Sequence, residues 1–200
     1  MNEERVRPPT GPRRPGARLL AIVVFLGLLA GCGSSGSSGG DYGGQHPDYH
    51  QALAGAPRPL STLHAQSNQV LGGGTAAFQR QLADLRGYPV VVNAWASWCG
   101  PCRQEFPYLQ SLSAQLGKRI AFVGVDSQDS TGAAKTFLQE FPVPYPSFED
   151  PDQKIVELLD ATAGLPATAF YDSHGHLVYT RQGGYASEAD LAADIKRYAQ

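Results

Sequence analysis

The chain has 200 residues, of which 42% are hydrophobic and 10% aromatic, and its formal net charge is −2. This composition is that of a globular chain, and the length allows one domain with appendages or two small domains. The charge gives no reason to expect a nucleic-acid partner. The three cysteines are too few for a disulfide-dense secreted scaffold.

The amino terminus has the pattern of a secretory signal. Five arginines and two glutamates precede an apolar run over residues 19–30. At 1.5 Å per residue this run reaches about 18 Å, which is too short for a hydrocarbon core of about 30 Å. The run therefore predicts the apolar region of a signal peptide, and a short uncleaved membrane anchor is the alternative. The Gly/Ser-rich residues 33–44 that follow are typical of a flexible tether.

Between the apolar run and the Gly/Ser stretch stand Leu29, Ala30, Gly31 and Cys32. They resemble the lipobox of bacterial lipoproteins, in which the peptide bond before the cysteine is cut and the cysteine receives a lipid. The resemblance implies a lipoprotein signal peptide over residues 1–31 and lipidation of Cys32. It also implies a chain anchored on the extracytoplasmic face of a bacterial cell membrane. We therefore expect a tether over 32–57 and a folded domain over 58–200.

The first half of this domain alternates between helical and strand patterns. Residues 75–87 have helical spacing of apolar side chains, and residues 89–95 form a nearly continuous apolar run. Such a run indicates a strand that is buried on both faces of a sheet. A helical pattern over 106–116, a second buried strand over 120–125 and a further helix over 130–141 follow.

The second half ends in a hairpin and a helix. Asp150 followed by Pro151 predicts the start of a short helix. Strands over 168–172 and 177–181 are separated by a short turn, and Ser187 with Asp190 predicts a capping box for the last helix. A βαβ unit requires parallel pairing, whereas a hairpin is antiparallel. The order predicts an α/β fold with a mixed sheet.

The segment Trp98-Cys99-Gly100-Pro101-Cys102 lies between the first buried strand and its helix. A helix amino terminus presents unpaired N–H groups and a partial positive charge, so a thiolate at Cys99 is stabilised there. Cys102 follows one turn later and can attack a mixed disulfide formed at Cys99. An exposed attacking cysteine and a sheltered resolving one are what two-step thiol–disulfide exchange requires.

Two other interpretations of the cysteine pair are a zinc site and a purely structural disulfide. A zinc site needs further ligands, but the remaining cysteine stands in the lipobox and the five histidines lack zinc-finger spacing. A purely structural disulfide would close a loop of only four residues and contribute little loop entropy. We therefore expect redox exchange and no metal.

Residues 89–109 (PVVVNAWASWCGPCRQEFPYL) strongly resemble the thioredoxin superfamily, in particular its membrane-anchored TlpA/ResA branch of thiol–disulfide oxidoreductases. The resemblance extends over about residues 60–200. It implies a thioredoxin-like three-layer sandwich around a central mixed β-sheet, and a redox-active disulfide. It also implies that Pro107 kinks the active-site helix and that Pro166 is a cis-proline beside the cysteines, although an ordinary trans turn proline is the alternative. The residues then implied to contact a substrate chain are Trp98, Gly100, Pro101, Leu165 and Pro166.

Two positions differ from cytoplasmic thioredoxins. Asn93 stands where those proteins carry a buried aspartate, and Phe122 is the nearest match for the lysine that partners it. Because asparagine cannot accept a proton from Cys102, that route is closed. The TlpA/ResA branch has a glutamate three residues after the second cysteine, which here is Glu105. We hypothesise that Glu105 takes or relays the Cys102 proton; a solvated glutamate without a role is the alternative.

The resemblance implies an extracytoplasmic enzyme that exchanges thiols and disulfides with protein substrates. We expect a monomeric reductant without cofactor, for example in cytochrome c maturation, which receives electrons from a membrane donor. An oxidase or isomerase for secreted proteins is the first alternative. A thioredoxin-fold peroxidase is a less favoured alternative, because such enzymes need a peroxidatic cysteine in a different local sequence, and this sequence has none. A non-catalytic scaffold conflicts with the intact cysteine pair.

Overall fold

The computed structural model describes residues 46–200. The predicted signal peptide, Cys32 and most of the predicted tether lie outside these residues. The described helices are α1 (Tyr49–Ala52), α2 (Arg58–His64), α3 (Gly74–Asp84), α4 (Gly100–Leu116), α5 (Thr131–Glu140), α6 (Lys154–Leu158) and α7 (Glu188–Tyr198). The described strands are β1 (Val70–Leu71), β2 (Val90–Trp95), β3 (Ala121–Ser127), β4 (Ser147–Asp150), β5 (Ala167–Tyr171) and β6 (Leu177–Gln182). Within residues 46–200, no helix has both the length and the apolar character needed to cross a bilayer.

The strands form one sheet in the order β1-β4-β3-β2-β5-β6. The first four strands of this order run parallel to one another, whereas β5 is antiparallel to both β2 and β6. The mixed sheet that the sequence predicts is therefore confirmed. Every residue of β2 and β3 is buried, because helices cover both faces of the sheet and make a three-layer sandwich.

An apolar cluster lies on each face of the sheet, and one of them supports the cysteine pair. On that face, Trp95 of β2 contacts Phe106 of α4 and Phe137 of α5, with ring centroids 5.3 Å and 4.8 Å apart. Phe106 and Phe137 themselves pack edge to face at 4.6 Å. Each aromatic pair contributes about 0.5–1.5 kcal/mol beyond simple burial. The beginning of α4 is thus held firmly against the end of β2.

Several short elements escape the sequence prediction. β4 carries the buried polar residues Ser147 and Asp150, so it has no apolar run. β1 has only two residues, which is too short for an alternating pattern. In α2 the buried positions are Leu60 and Leu63, a single apolar pair. These elements form because the larger sheet and its helices offer them a surface, which local pattern does not reveal.

The short helix predicted to start at Asp150 begins later. Asp150 closes β4, and α6 starts at Lys154 after a left-handed Gln153 at φ 58°. The carboxylate of Asp150 nevertheless accepts the backbone N–H groups of Ile155 and Val156, both at 2.9 Å. Asp150 therefore satisfies the free donors of α6 from the end of a strand rather than from the N-cap position.

Packing begins before residue 58, the predicted domain boundary. The hydroxyl of Tyr49 in α1 donates to the carbonyl of Pro142 at 2.7 Å, and Leu53 is buried. Part of the stretch assigned to the tether therefore contacts the folded domain.

Candidate active site

The cysteine pair lies where β2 gives way to α4. Cys99 is the N-cap of α4, and its sulfur accepts the backbone N–H of Cys102 at 3.2 Å. Pro101 stands in the first turn, where a missing N–H costs nothing. The sulfurs of Cys99 and Cys102 are joined in a disulfide. The helix continues through Pro107 to Leu116. The Cys99 sulfur thus sits at the positive end of a 17-residue helix.

The predicted contrast in exposure between the two cysteines is absent in this disulfide form. Cys99 exposes 4% of its surface and Cys102 none. The expectation of an exposed first cysteine is therefore wrong for the oxidised protein. The reason is geometric: the Cys99 sulfur turns inward to the N–H and the sulfur of Cys102, which itself belongs to the core cluster around Trp95 and Phe106.

An exposed rim surrounds this nearly buried disulfide. Trp98 exposes 61% of its surface, and Gly100 and Pro101 are also exposed. The indole N–H of Trp98 donates to the carbonyl of Gln128 at 3.0 Å. A large aromatic surface that is held by one hydrogen bond and left open to solvent is suited to contact with another chain.

The loop before β5 completes the site. The Leu165–Pro166 peptide bond is cis, as the family resemblance implies. Pro166 is buried, Leu165 is half-buried, and the carbonyl of Pro166 accepts the N–H of Gly183 at 2.9 Å. A Cβ on Gly184 would lie 3.4 Å from Pro166 Cγ and 3.8 Å from the carbonyl oxygen of Pro101. The proline loop and the first turn of α4 therefore meet at Gly184.

Glu105 lies inside the protein, so the alternative of a solvated side chain is excluded. It exposes 1% of its surface. Its Oε1 accepts the side-chain N–H of Asn93 at 2.8 Å, and its Oε2 accepts the backbone N–H of Tyr185 at 3.0 Å. Burial raises the pKa of Glu105 to about 7, although these two hydrogen bonds and the charge of Arg181 act against the rise. A carboxyl with such a pKa gains and loses a proton readily at neutral pH.

Asn93 and Glu105, which the sequence presents as two separate departures, are direct partners. Asn93 is buried on β2 and donates across to α4. The second donor, Tyr185, is missing from the predicted site. It lies 80 residues further along the chain, and its hydroxyl is anchored on Asp194 at 3.0 Å. No sequence pattern singles out this loop position.

Two acidic residues, one near the end of β3 and one in the loop that follows it, were also missed. Asp126 is buried in β3 opposite Trp95, and Asp129 accepts the backbone N–H of Ser97 at 2.6 Å. Burial, followed by the charges of Asp129 and Glu149, raises the pKa of Asp126 to about 7. The carboxyl ends of parallel strands share one edge of the sheet. Acidic residues at the end of the strand next to the cysteine motif were the available signal.

Fold and site together are those of thioredoxin-like proteins. The family model described as Redoxin matches residues 74–195, more than half of the chain. The chain therefore belongs to the Redoxin family.

Named relatives agree with this assignment. ResA of Bacillus subtilis (strain 168), a thiol-disulfide oxidoreductase, is 30% identical over 99 residues, which are 49% of this chain and 55% of that protein. The chain thus spans about half the length of this relative. DsbE of Escherichia coli (strain K12), a thiol:disulfide interchange protein, is 29% identical over 165 residues, covering 82% of this chain and 84% of that one. A crystal structure of a DsbE protein from Chlorobium tepidum has a TM-score of 0.53 at 30% identity and covers 58% of this chain and 83% of that chain.

Proposed function

We propose that this protein is an extracytoplasmic thiol–disulfide oxidoreductase that exchanges the Cys99–Cys102 pair with cysteines of protein substrates. The observation that carries the proposal is a disulfide between the N-cap and the first turn of α4, rimmed by exposed Trp98 and flanked by cis-Pro166. The names of ResA and DsbE support the same chemistry.

The reducing reaction takes two steps. The Cys99 thiolate attacks one sulfur of a substrate disulfide, so a mixed disulfide forms and the other substrate sulfur leaves as a thiolate. Cys102 then attacks the Cys99 sulfur, which closes the Cys99–Cys102 disulfide and releases the second substrate thiol. Two electrons pass to the substrate. The N–H of Cys102, which points at the Cys99 sulfur, stabilises its negative charge before the attack.

Glu105 is proposed to receive the proton that Cys102 must lose before the second step. Three residues separate the two on α4, which places them on one face of the helix. Asn93 and Tyr185 hold one carboxylate oxygen each, so the carboxyl group is fixed in orientation. A pKa of about 7 matches a group that exchanges protons with a thiol near neutral pH.

The direction of electron flow is proposed to be reduction, with electrons supplied by a membrane donor and cytochrome c maturation as one setting. The Gly-Pro dipeptide between the cysteines is that of reducing thioredoxins. A redox titration against glutathione or dithiothreitol tests the direction. We expect a potential closer to about −270 mV than to about −120 mV. A value near the upper figure would instead support an oxidase of secreted proteins.

The location is proposed from the amino-terminal motif. A lipid on Cys32 would anchor a monomeric domain outside the cytoplasm. Wild-type protein produced in a bacterial host should incorporate a labelled fatty acid, and Cys32→Ser should not. Equal labelling of the two proteins would contradict lipidation of Cys32.

Catalysed reduction of insulin by dithiothreitol tests the activity itself. Wild-type protein should accelerate the reaction, and Cys99→Ser should abolish the acceleration because the attacking sulfur is gone. Cys32→Ser, which lacks the third thiol, is the matched control and should stay active. Equal rates for wild type and Cys99→Ser would refute the proposed activity.

A further inference from the structure

The segment that presents Trp98 is held from one side by the loop after β3. Asp129 Oδ2 accepts the N–H of Ser97 at 2.6 Å, and the carbonyl of Gln128 accepts the indole N–H of Trp98 at 3.0 Å. Gln128 has a φ of 54°, a left-handed conformation that is uncommon for a residue with a side chain. Two consecutive loop residues thus hold two consecutive residues before Cys99.

Asp129 also ties this contact to the start of α5. Its Oδ1 accepts the N–H of Ser130 at 2.7 Å, and Ser130 in turn caps α5 by accepting the N–H of Ala133 at 3.2 Å. Hydrogen bonds to an ionised carboxylate are stronger than bonds between neutral groups. The carboxylate of Asp129 therefore links the backbone of Ser97 to the beginning of α5.

A second carboxyl lies beneath this link. Asp126 exposes 2% of its surface, and its Oδ1 has no hydrogen-bond partner within residues 46–200. The charged groups that act on Asp126 are Asp129 on the loop and Glu149 opposite it on β4, and both are acidic. A protonated Asp126 can donate to the carboxylate of Asp129, whereas an ionised Asp126 repels it.

We propose that Asp129 is a positioning residue for thiol–disulfide exchange. It fixes the Ser97–Trp98 segment so that the Trp98 indole stays beside Cys99 for contact with a protein substrate. Buried Asp126, when protonated, stabilises Asp129 by donating a hydrogen bond to its carboxylate. This inference rests on the proposed function. The indole surface is needed by a polypeptide, which must lie across the rim. A small dithiol needs only the sulfur.

The consequence is a substrate-dependent defect. Asp129→Ala should slow electron transfer between the protein and insulin about tenfold, the effect of losing charge-assisted hydrogen bonds. The rate of disulfide reduction by dithiothreitol should change less than about twofold, because Cys99 and its N–H donor are untouched. Asp129→Asn keeps one carbonyl acceptor and should fall between these values. Asp84→Ala, which removes an exposed acid at the end of α3, is the matched control.

Trp98 fluorescence supplies a readout that a general loss of stability would not reproduce. Trp95 is fully buried, so acrylamide quenches Trp98 selectively. Quenching should increase in Asp129→Ala at all pH values. In wild type it should increase as pH rises through about 7, where Asp126 ionises. Asp126→Asn should remove this pH dependence, whereas Glu105→Gln should retain it, which separates the two carboxyl groups.

The two rates and the quenching curves decide the matter together. A selective loss with insulin and freer Trp98 in Asp129→Ala support the inference. Wild-type rates with insulin and unchanged quenching in both Asp129 variants overturn it, and so do equal losses with insulin and dithiothreitol. If wild-type protein fails to catalyse insulin reduction at all, the proposed function fails instead, and the quenching curves still test the hold on Trp98.

Discussion

Two buried carboxyl groups flank the cysteine motif, and they reach the same pKa of about 7 by different routes. Burial alone raises the pKa of Glu105, while two N–H donors and a nearby arginine oppose the rise. Burial and two acidic neighbours together raise the pKa of Asp126. One of its carboxyl oxygens lacks a hydrogen-bond partner within the described residues. Both carboxyl oxygens of Glu105 are thus held by hydrogen bonds, whereas Asp126 lies in a cluster of acidic side chains that repel its ionised form. The first arrangement suits proton transfer and the second suits control of a loop.

The largest expected effect comes from Glu105→Gln, which removes the proton acceptor on one side of this comparison. A reduced protein treated with an aromatic disulfide reagent forms a mixed disulfide at Cys99, and Cys102 then expels the coloured thiol. We expect this expulsion to slow on the order of 10²-fold at pH 7, as for loss of a general base. Its pH profile should also lose the inflection near 7.

The matched control for this variant is Glu157→Gln, which neutralises an exposed glutamate on α6. The variant Glu105→Gln can keep its hydrogen bonds, because the Asn93 amide can turn its unpartnered oxygen toward the new N–H group. An unchanged profile in Glu105→Gln would leave Glu105 with no part in the proton transfer.

The same variant should also change the pH dependence of stability. Glu105 ionises at about 4.5 when unfolded and at about 7 when folded. Between these values the folded state binds more protons, so the free energy of unfolding falls as pH rises. Glu105→Gln should lose this slope. Relative to wild type, its free energy of unfolding should rise by up to about 3 kcal/mol between pH 4.5 and 7.

Asp126→Asn should likewise remove a fall in the free energy of unfolding with pH. This fall begins near pH 3.8 for Asp126, instead of pH 4.5 for Glu105. The two effects should add, because the side chains lie on different elements and share no hydrogen-bond partner. Urea unfolding at a series of pH values measures both. A difference in the free energy of unfolding between wild type and these variants that stays constant from pH 4.5 to 7 would contradict the raised pKa values.

The smallest effect is expected from Asn93→Leu. The change removes one of the hydrogen bonds that hold down the pKa of Glu105, so the inflection in the expulsion profile should move to higher pH by about one unit. Thr168→Val, a change to a buried neighbour of Asn93 on β5, is the control and should leave the inflection in place. A profile that stays put in Asn93→Leu would mean that the Asn93 bond does not act on Glu105.

The sequence predicted the parts of this site that local pattern encodes. β2 and α4 have long apolar patterns, and the cysteine motif lies at their junction, so the helix-capping position of Cys99 followed from order alone. β4 was missed because Ser147 and Asp150 interrupt its apolar character.

Contacts between distant segments were beyond the sequence. The sequence singles out Asn93 and Glu105 separately, but their hydrogen bond depends on how α4 lies on β2. Tyr185 reaches the site from a loop whose local sequence carries no catalytic pattern. The position of Asp129 just after β3 was an available signal, but its contact with Ser97 depends on the fold. The near-complete burial of Cys99 was likewise unforeseen, since it depends on the direction in which a bonded sulfur turns.

Trapping of a mixed disulfide tests the central claim most directly. Reduced Cys102→Ser protein, mixed with a protein that carries a disulfide, should form a covalent complex through Cys99 that dithiothreitol dissolves. The doubly substituted protein with Cys99→Ser and Cys102→Ser should form none. The account would be contradicted if the doubly substituted protein still formed a complex. It would also be contradicted if reduced Cys102→Ser protein formed none.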